Sequence, residues 1–172
     1  MLFTGHGDAG YTSVIGGPAL PKCDVRLEAL GALDEAQAHL GLARALLTGT
    51  PWAESLKHLE ADLQLLMADC ATISQCGQHL STEHVSHLES DLAAWDGNFH
   101  GLTIPGDTLI GAHLHLARTA IRRAERRVVA LFQAEGIENP VMLAYLNRLS
   151  SWVYGLIMIT EGAANVPSVA VA

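Results

Sequence analysis

Arg118, Arg122, Arg123, Arg126 and Arg127 supply half of the ten Lys and Arg residues in a chain whose net charge is −8. Guanidinium forks grouped this closely suit a planar or multi-oxygen anion, a carboxylate or a phosphate, which they bind with paired charge-assisted hydrogen bonds. On a helix, Ile110, Leu114, Ala117, Ile121, Ala124, Val128 and Phe132 form one apolar stripe, and Arg118, Arg122, Glu125 and Arg126 line up beside it. Arg123 and Arg127 are expected to face water or a neighbouring subunit. A solvated helix face, its charge partly offset by Glu125, is the competing reading of this segment taken alone.

A second set of anion-binding groups lies at the N-terminus, where five glycines fall within the first seventeen residues. Residues 1–22 therefore read as a loop. Gly5-His6-Gly7-Asp8-Ala9-Gly10 satisfies the spelling of a dinucleotide fingerprint, but no strand can precede it and no βαβ pattern follows, so that reading fails. Glycines still let backbone N–H groups approach an anion, and Thr4, Thr12, Ser13 and Lys22 add hydroxyls and a cation suited to phosphates. Taken alone, the stretch also reads as a loose N-terminal arm. Metal chemistry is not indicated: the three cysteines, Cys23, Cys70 and Cys76, contain no CxxC, and nine histidines show no convergent set. His113 and His115 diverge on a helix and His84 and His87 form a lone pair, so all are expected at the surface.

Five helices must position these groups. The first starts at the cap Asp24, carries Leu27, Leu30, Leu33, Ala38, Leu42 and Leu46 and stops at Gly49. Asp34 lies among its apolar residues and calls for a partner, while Gly31 and Gly41 are expected to permit close helix contact. The second opens at Thr50-Pro51 and runs through Leu56, Leu59, Leu63, Leu66 and Met67 towards Gly77. The third begins at Ser81 or Thr82, the arginine helix at Asp107 or Thr108, ending near Gly136, and the last at Asn139-Pro140. No strand pattern is credible, so the fold is an all-α five-helix bundle, one domain of residues 23–164 behind the 1–22 loop, with a tail from 165 to 172. At 172 residues, 49% hydrophobic and 16% charged, the chain can bury a substantial core. Its acidity argues against a nucleic-acid partner, and the absence of a basic-then-apolar leader or a spanning apolar run makes a cytoplasmic, membrane-free protein the expectation.

Three separated stretches agree in what they resemble. Thr4 to Lys22, the run Lys22-Cys23-Asp24-Val25-Arg26-Leu27-Glu28-Ala29-Leu30-Gly31-Ala32-Leu33-Asp34-Glu35, and Arg122-Arg123-Ala124-Glu125-Arg126 followed by Leu146-Asn147-Arg148-Leu149-Ser150 look like the PduO-type ATP:cob(I)alamin adenosyltransferases. The likeness runs from residue 3 to about residue 156. It implies a homotrimer of five-helix bundles with ATP and cobalamin at each subunit interface, and transfer of the 5′-deoxyadenosyl group of ATP to the cobalt of reduced cobalamin with release of triphosphate. By position, the ATP contacts would be Thr4, Gly5, His6, Gly7, Thr12, Ser13, Lys22, Arg122, Arg123, Glu125, Arg126 and Asn147. Asp34 would pair with Arg122 and shape the site across the interface, making Asp34, Arg122 and Arg126 the catalytic set. Leu102 and Tyr154 would lie against cobalamin, displacing its lower axial base, and Mg²⁺ would share the phosphate charge. A flavin-dependent reductase and an adenosylcobalamin-dependent enzyme are the partners the resemblance suggests. The chain departs from the family's Gly-Asp-Lys-Gly at Ala9, removing a cation near the phosphates, and has Leu102 where an aromatic usually sits. A carrier or sensor of ATP and corrinoid on the same fold is the alternative.

Overall fold

The structure is a computed structural model that describes residues 3–14, 17–72, 79–95 and 103–163. Its helices are α1 (Val25–Leu46), α2 (Pro51–Ala71), α3 (Thr82–Trp95), α4 (Leu109–Glu135) and α5 (Pro140–Ala163). The capping chemistry explains where they begin and end. Asp24 accepts the Arg26 N–H at 2.8 Å, Thr108 Oγ the Gly111 N–H at 2.9 Å, and Asn139 Oδ1 the Met142 N–H at 3.1 Å. Pro51 opens α2, and Gly136 closes α4 at φ 64°, a left-handed conformation that favours glycine.

The loop expected over residues 1–22 contains a small hairpin. β1 (Tyr11–Ser13) pairs antiparallel with β2 (Ala19–Pro21), Thr12 opposite Leu20. Strands of three residues are too short for an alternating pattern to stand out.

α4 lies at the centre, packed on α1 on one side and α5 on the other, with α2 outside α1 and α3 outside α5. The two ends of this row meet where Trp52 of α2 packs edge-on against Trp95 of α3 at 5.6 Å; Tyr145 of α5, next in from α3, also donates to Asp62 of α2 at 2.7 Å. Leu114, Ala117, Ile121, Ala124, Val128 and Phe132, the stripe expected on α4, are buried, with Ile110 half-buried. α1 packs against α4, and the buried residues of the two helices include Ala29, Ala32, Ala36 and Ala43 on α1 and Ala117, Ala120 and Ala124 on α4. Gly31 has open space where a Cβ would stand, and Gly41 faces Glu60. Leu42 and Leu46, expected in the core, are exposed.

One charge is buried where none was expected. Arg26, 1% exposed, donates to the Cys70 carbonyl and lies 3.4 Å from Glu135, tying the start of α1 to the ends of α2 and α4. Cys23 is exposed and Cys70 buried, and Cys76 lies outside the described residues. No described helix is long and apolar enough to cross a membrane.

Candidate active site

The arginines of α4 divide by what their own chain offers them. Arg123 pairs with Glu35, and Arg127 with Glu28 at 3.6 Å. Both therefore stitch α4 to the antiparallel α1 while remaining exposed to water, as expected; the pairing with α1 was not anticipated. Arg122 and Arg126 are exposed and form no ion pair with any described residue; Arg126 donates to the Arg122 carbonyl at 2.9 Å. Within one chain Asp34 does not pair with Arg122. It is exposed beside Glu35, not embedded in the apolar face.

Arg118 is half-buried. Its guanidinium lies 5.6 Å from the centre of the Tyr154 ring, and its Nε is buried without a hydrogen-bond partner. Burial lowers its pKa, the neighbouring Arg122 charge lowers it further, and Tyr154 opposes the shift. Arg118, Arg122 and Tyr154 line a cavity of about 320 Å³ with Leu92, Ser150 and Ser151. The Ser150 and Ser151 hydroxyls donate to the Asn147 carbonyl at 3.0 and 3.4 Å, and the Asn147 side chain is exposed one turn away. Glu125 is partly buried on the same helix. Two guanidinium groups and two hydroxyls over an aromatic floor can hold an anion at one end and a flat apolar body at the other.

Two further side chains belong here that the sequence reading missed. His115, expected at the surface, is 4% exposed, with Nε2 at 3.0 Å from the Thr103 hydroxyl and its ring edge-on to Tyr154 at 6.5 Å. Burial, reinforced by Arg118, lowers its pKa and keeps the ring neutral. The spacing held the signal, since His115, Arg118 and Arg122 recur at intervals of three and four and share one helix face. Glu161 is the second, a lone acid at the end of the apolar run of α5 and 1% exposed.

The N-terminal groups form a surface of their own. Gly5 and Gly10 have positive φ, the Lys22 N–H donates to the Gly10 carbonyl at 2.8 Å, and a Cβ on Gly7 would stand 2.9 Å from Lys22 Nζ. Thr4, His6 and Ser13 are exposed beside it, and Thr12 is half-exposed. Among the described residues no hydrogen bond or ion pair joins this surface to the arginines of α4 within one chain. Leu102 lies outside the described residues.

Comparison with known proteins decides the affiliation. The profile of the family described as cobalamin adenosyltransferase matches residues 2–160. The chain belongs to the cobalamin adenosyltransferase family. Among its relatives, the corrinoid adenosyltransferase of Bacillus subtilis (strain 168) is 36% identical over 176 residues, which cover 98% of this chain and 90% of that protein. The PduO corrinoid adenosyltransferase of Salmonella typhimurium (strain LT2) is 32% identical over 171 residues, 95% of this chain and 51% of that protein. In structure, this family member superposes on a variant PduO-type ATP:corrinoid adenosyltransferase from Lactobacillus reuteri, complexed with cobalamin and ATP, with a TM-score of 0.87 at 28% identity, covering 99% of both chains. A second variant of that enzyme, complexed with ATP, gives a TM-score of 0.89 at 27% identity over 100% of both chains. The all-α five-helix reading holds for this cobalamin adenosyltransferase-family chain, with the hairpin added to it.

Proposed function

We propose that this protein transfers the 5′-deoxyadenosyl group of ATP to the cobalt of a reduced corrinoid, releasing triphosphate, and that it does so as a homotrimer with one site at each subunit interface. The observation that carries the reading is the cavity lined by Arg118, Arg122 and Tyr154, in which neither arginine forms an ion pair with a described acid and Arg118 stands over the Tyr154 ring. Family membership and relatives that are corrinoid adenosyltransferases support ATP and a corrinoid as the substrates of this cavity. The separation of the glycine–lysine surface from α4 within one chain supports an interface site, since a second copy would bring the two anion-binding halves together.

In this assignment Arg122 and Arg126 take the triphosphate from one side. Thr4, Gly5, His6, Gly7, Thr12, Ser13 and Lys22 of a neighbouring subunit take it from the other, with Glu125 and Asn147 completing the nucleotide site. Arg123, held by Glu35, reaches ATP only through the nitrogens that the pairing leaves open. Asp34 pairs with Arg122 across the interface. Tyr154 and Leu102 cover the lower face of the corrin. Mg²⁺ accompanies the phosphates and shares their charge.

The chemistry asks little of a proton-transfer group. Cobalt(I) donates an electron pair to C5′ as the C5′–O bond breaks, and that bond's electrons leave with the triphosphate. The protein's tasks are to align the ribose with cobalt, to stabilise the leaving charge with fixed cations and to exclude water. An anaerobic assay with ATP, Mg²⁺ and chemically reduced cobalamin tests it. A visible band of the cobalt–carbon bond is expected; binding of both substrates without that band would replace the enzyme reading with a carrier or sensor.

A further inference from the structure

Glu161 has no evident reason to be where it is. Its side chain is buried at the far end of α5, and neither carboxyl oxygen has a hydrogen bond of normal geometry. A buried carboxyl left this way is costly, and a structure that keeps one calls for an explanation. The site is fitted to it. Glu161 occupies the space left by the missing side chain of Gly111 in the first turn of α4, where a Cβ would stand 2.0 Å from Glu161 Oε1 and 2.7 Å from the Thr108 hydroxyl. The charged and titratable groups facing it are Asp107, from the segment before α4, and, beyond Thr103, His115 on α4. His115 in turn faces Arg118 and Tyr154.

The Thr103 hydroxyl lies beside the Glu161 carboxyl on one side and 3.0 Å from His115 Nε2 on the other. A hydroxyl carries one proton to donate, so it cannot donate to both neighbours at once. If Glu161 is ionised, Thr103 donates to the carboxylate and must accept from His115, which then carries its proton on Nε2. If Glu161 is protonated, the acid donates to Thr103, Thr103 donates to His115 Nε2, and the imidazole proton moves to Nδ1. That nitrogen is buried without a partner, so no other hydrogen bond fixes the tautomer. Gly111, His115, Arg118 and Arg122 lie on one face of α4, and the relay runs along that face from the buried acid to the cavity wall.

We infer that Glu161 is a positioning residue that acts through the single Thr103 hydroxyl to set the tautomer of His115, and through His115 the seating of Tyr154 and Arg118 at the candidate active site. The inference deepens the adenosyltransferase reading and rests on it only for the last step. Burial and the nearby Asp107 both raise the Glu161 pKa from its ordinary value, with Thr103 opposing them, so the relay changes state at a higher pH than an exposed carboxylate would.

The test uses the full-length protein labelled with ¹⁵N-histidine, His115 being assigned by the signal lost in His115→Gln. Imidazole nitrogen shifts report the tautomer directly. In the wild type, the His115 proton is expected to move from Nδ1 to Nε2 as pH rises through the Glu161 titration. Glu161→Gln, whose amide donates to Thr103 as the protonated acid does, should hold the Nδ1 tautomer at every pH. Thr103→Val should uncouple the two residues. One hydrogen bond's worth of bias corresponds to a tautomer ratio changed by about two- to tenfold. A His115 tautomer that ignores pH in the wild type overturns the relay without recourse to any variant, and does so whether or not the protein turns over. If the tautomer moves as expected, kcat for adenosyl transfer should change with it by a similar factor and the KM for ATP should not. A wild-type kcat that stays flat while the tautomer moves, or a kcat in Glu161→Gln that still varies with pH as the wild type's does although its tautomer is fixed, overturns the positioning role.

Discussion

Replacing Arg122 and Arg123 one at a time by alanine separates ligand binding from helix packing on a single turn of α4. Arg122 is exposed and forms no ion pair with any described residue, so its removal leaves no described acid unpaired and costs the isolated fold almost nothing. If it holds the triphosphate, the loss is one charge-assisted contact, about 1.5–3 kcal/mol, or roughly ten- to a hundredfold in ATP affinity. Arg123 is the reverse case. Its pairing with Glu35 joins side chains 46% and 48% exposed, and an ion pair so open to solvent is worth about 0.2–1 kcal/mol. For a chain of this size that lowers Tm by about 1–4 °C. Titration calorimetry with ATP and Mg²⁺, beside thermal unfolding of the same samples, measures both quantities. Arg122→Ala should move the affinity and leave Tm in place; Arg123→Ala should lower Tm by those few degrees and shift the affinity by less than Arg122→Ala. An Arg122→Ala protein that binds ATP like wild type, or an Arg123→Ala protein with the larger affinity loss, would refute the division of labour on this helix.

Light scattering should give a trimer mass at micromolar concentration; a monomer would remove the interface on which the composite site depends. Lys22→Ala should weaken ATP binding by about tenfold or more while leaving cobalamin binding in place, because Lys22 sits against Gly7 in the glycine surface; loss of cobalamin binding with ATP affinity unchanged would reverse that assignment. Burial, then the charge of Asp62 and the hydrogen bond to it, raise the Tyr145 phenol well above its ordinary 10.0. Its contribution to stability is therefore complete below that value and is lost as pH rises above it, by up to about 1.4 kcal/mol per pH unit while the unfolded chain alone ionises. Tyr145→Phe should flatten that alkaline slope at the expense of about 0.5–1.5 kcal/mol near neutrality for the hydrogen bond to Asp62, and an unchanged slope in denaturant titrations would rule Tyr145 out as its source.

Much of this architecture was legible because helix ends are written in local chemistry. Asp24, Pro51, Thr108, Gly136 and Asn139 each do at a helix end what their backbone and side-chain donors allow, whatever the rest of the chain does. The buried stripe of α4 was legible for the same reason, as a 3.6-residue period. Partnerships were harder to read. Glu28 and Glu35 reach Arg127 and Arg123 because α1 and α4 pack antiparallel, an arrangement that belongs to two segments far apart in sequence. His115 was misread from its type, since a histidine one position off an apolar stripe is buried or exposed according to what the neighbouring segment supplies, here the Thr103 hydroxyl. Glu161 offered a faint signal, a lone acid in an apolar helix, but its fit against Gly111 belongs to two segments fifty residues apart in sequence.

The placement of cations on α4 bears on how a nucleotide arrives. With a net charge of −8, the protein presents a repelling field to a polyanion at a distance, yet half of its Lys and Arg residues stand on ten consecutive positions of one helix. Electrostatic reach at physiological ionic strength is about 8 Å. An approaching triphosphate therefore meets discouragement everywhere except within that short range of the arginines, where attraction takes over. Capture is local, not steered from afar, and added salt relaxes the distant repulsion while weakening the final grip. Encounter with other cellular polyanions is suppressed by the same arrangement, so an arginine-rich helix can be kept in a crowded cell without becoming a general phosphate sink.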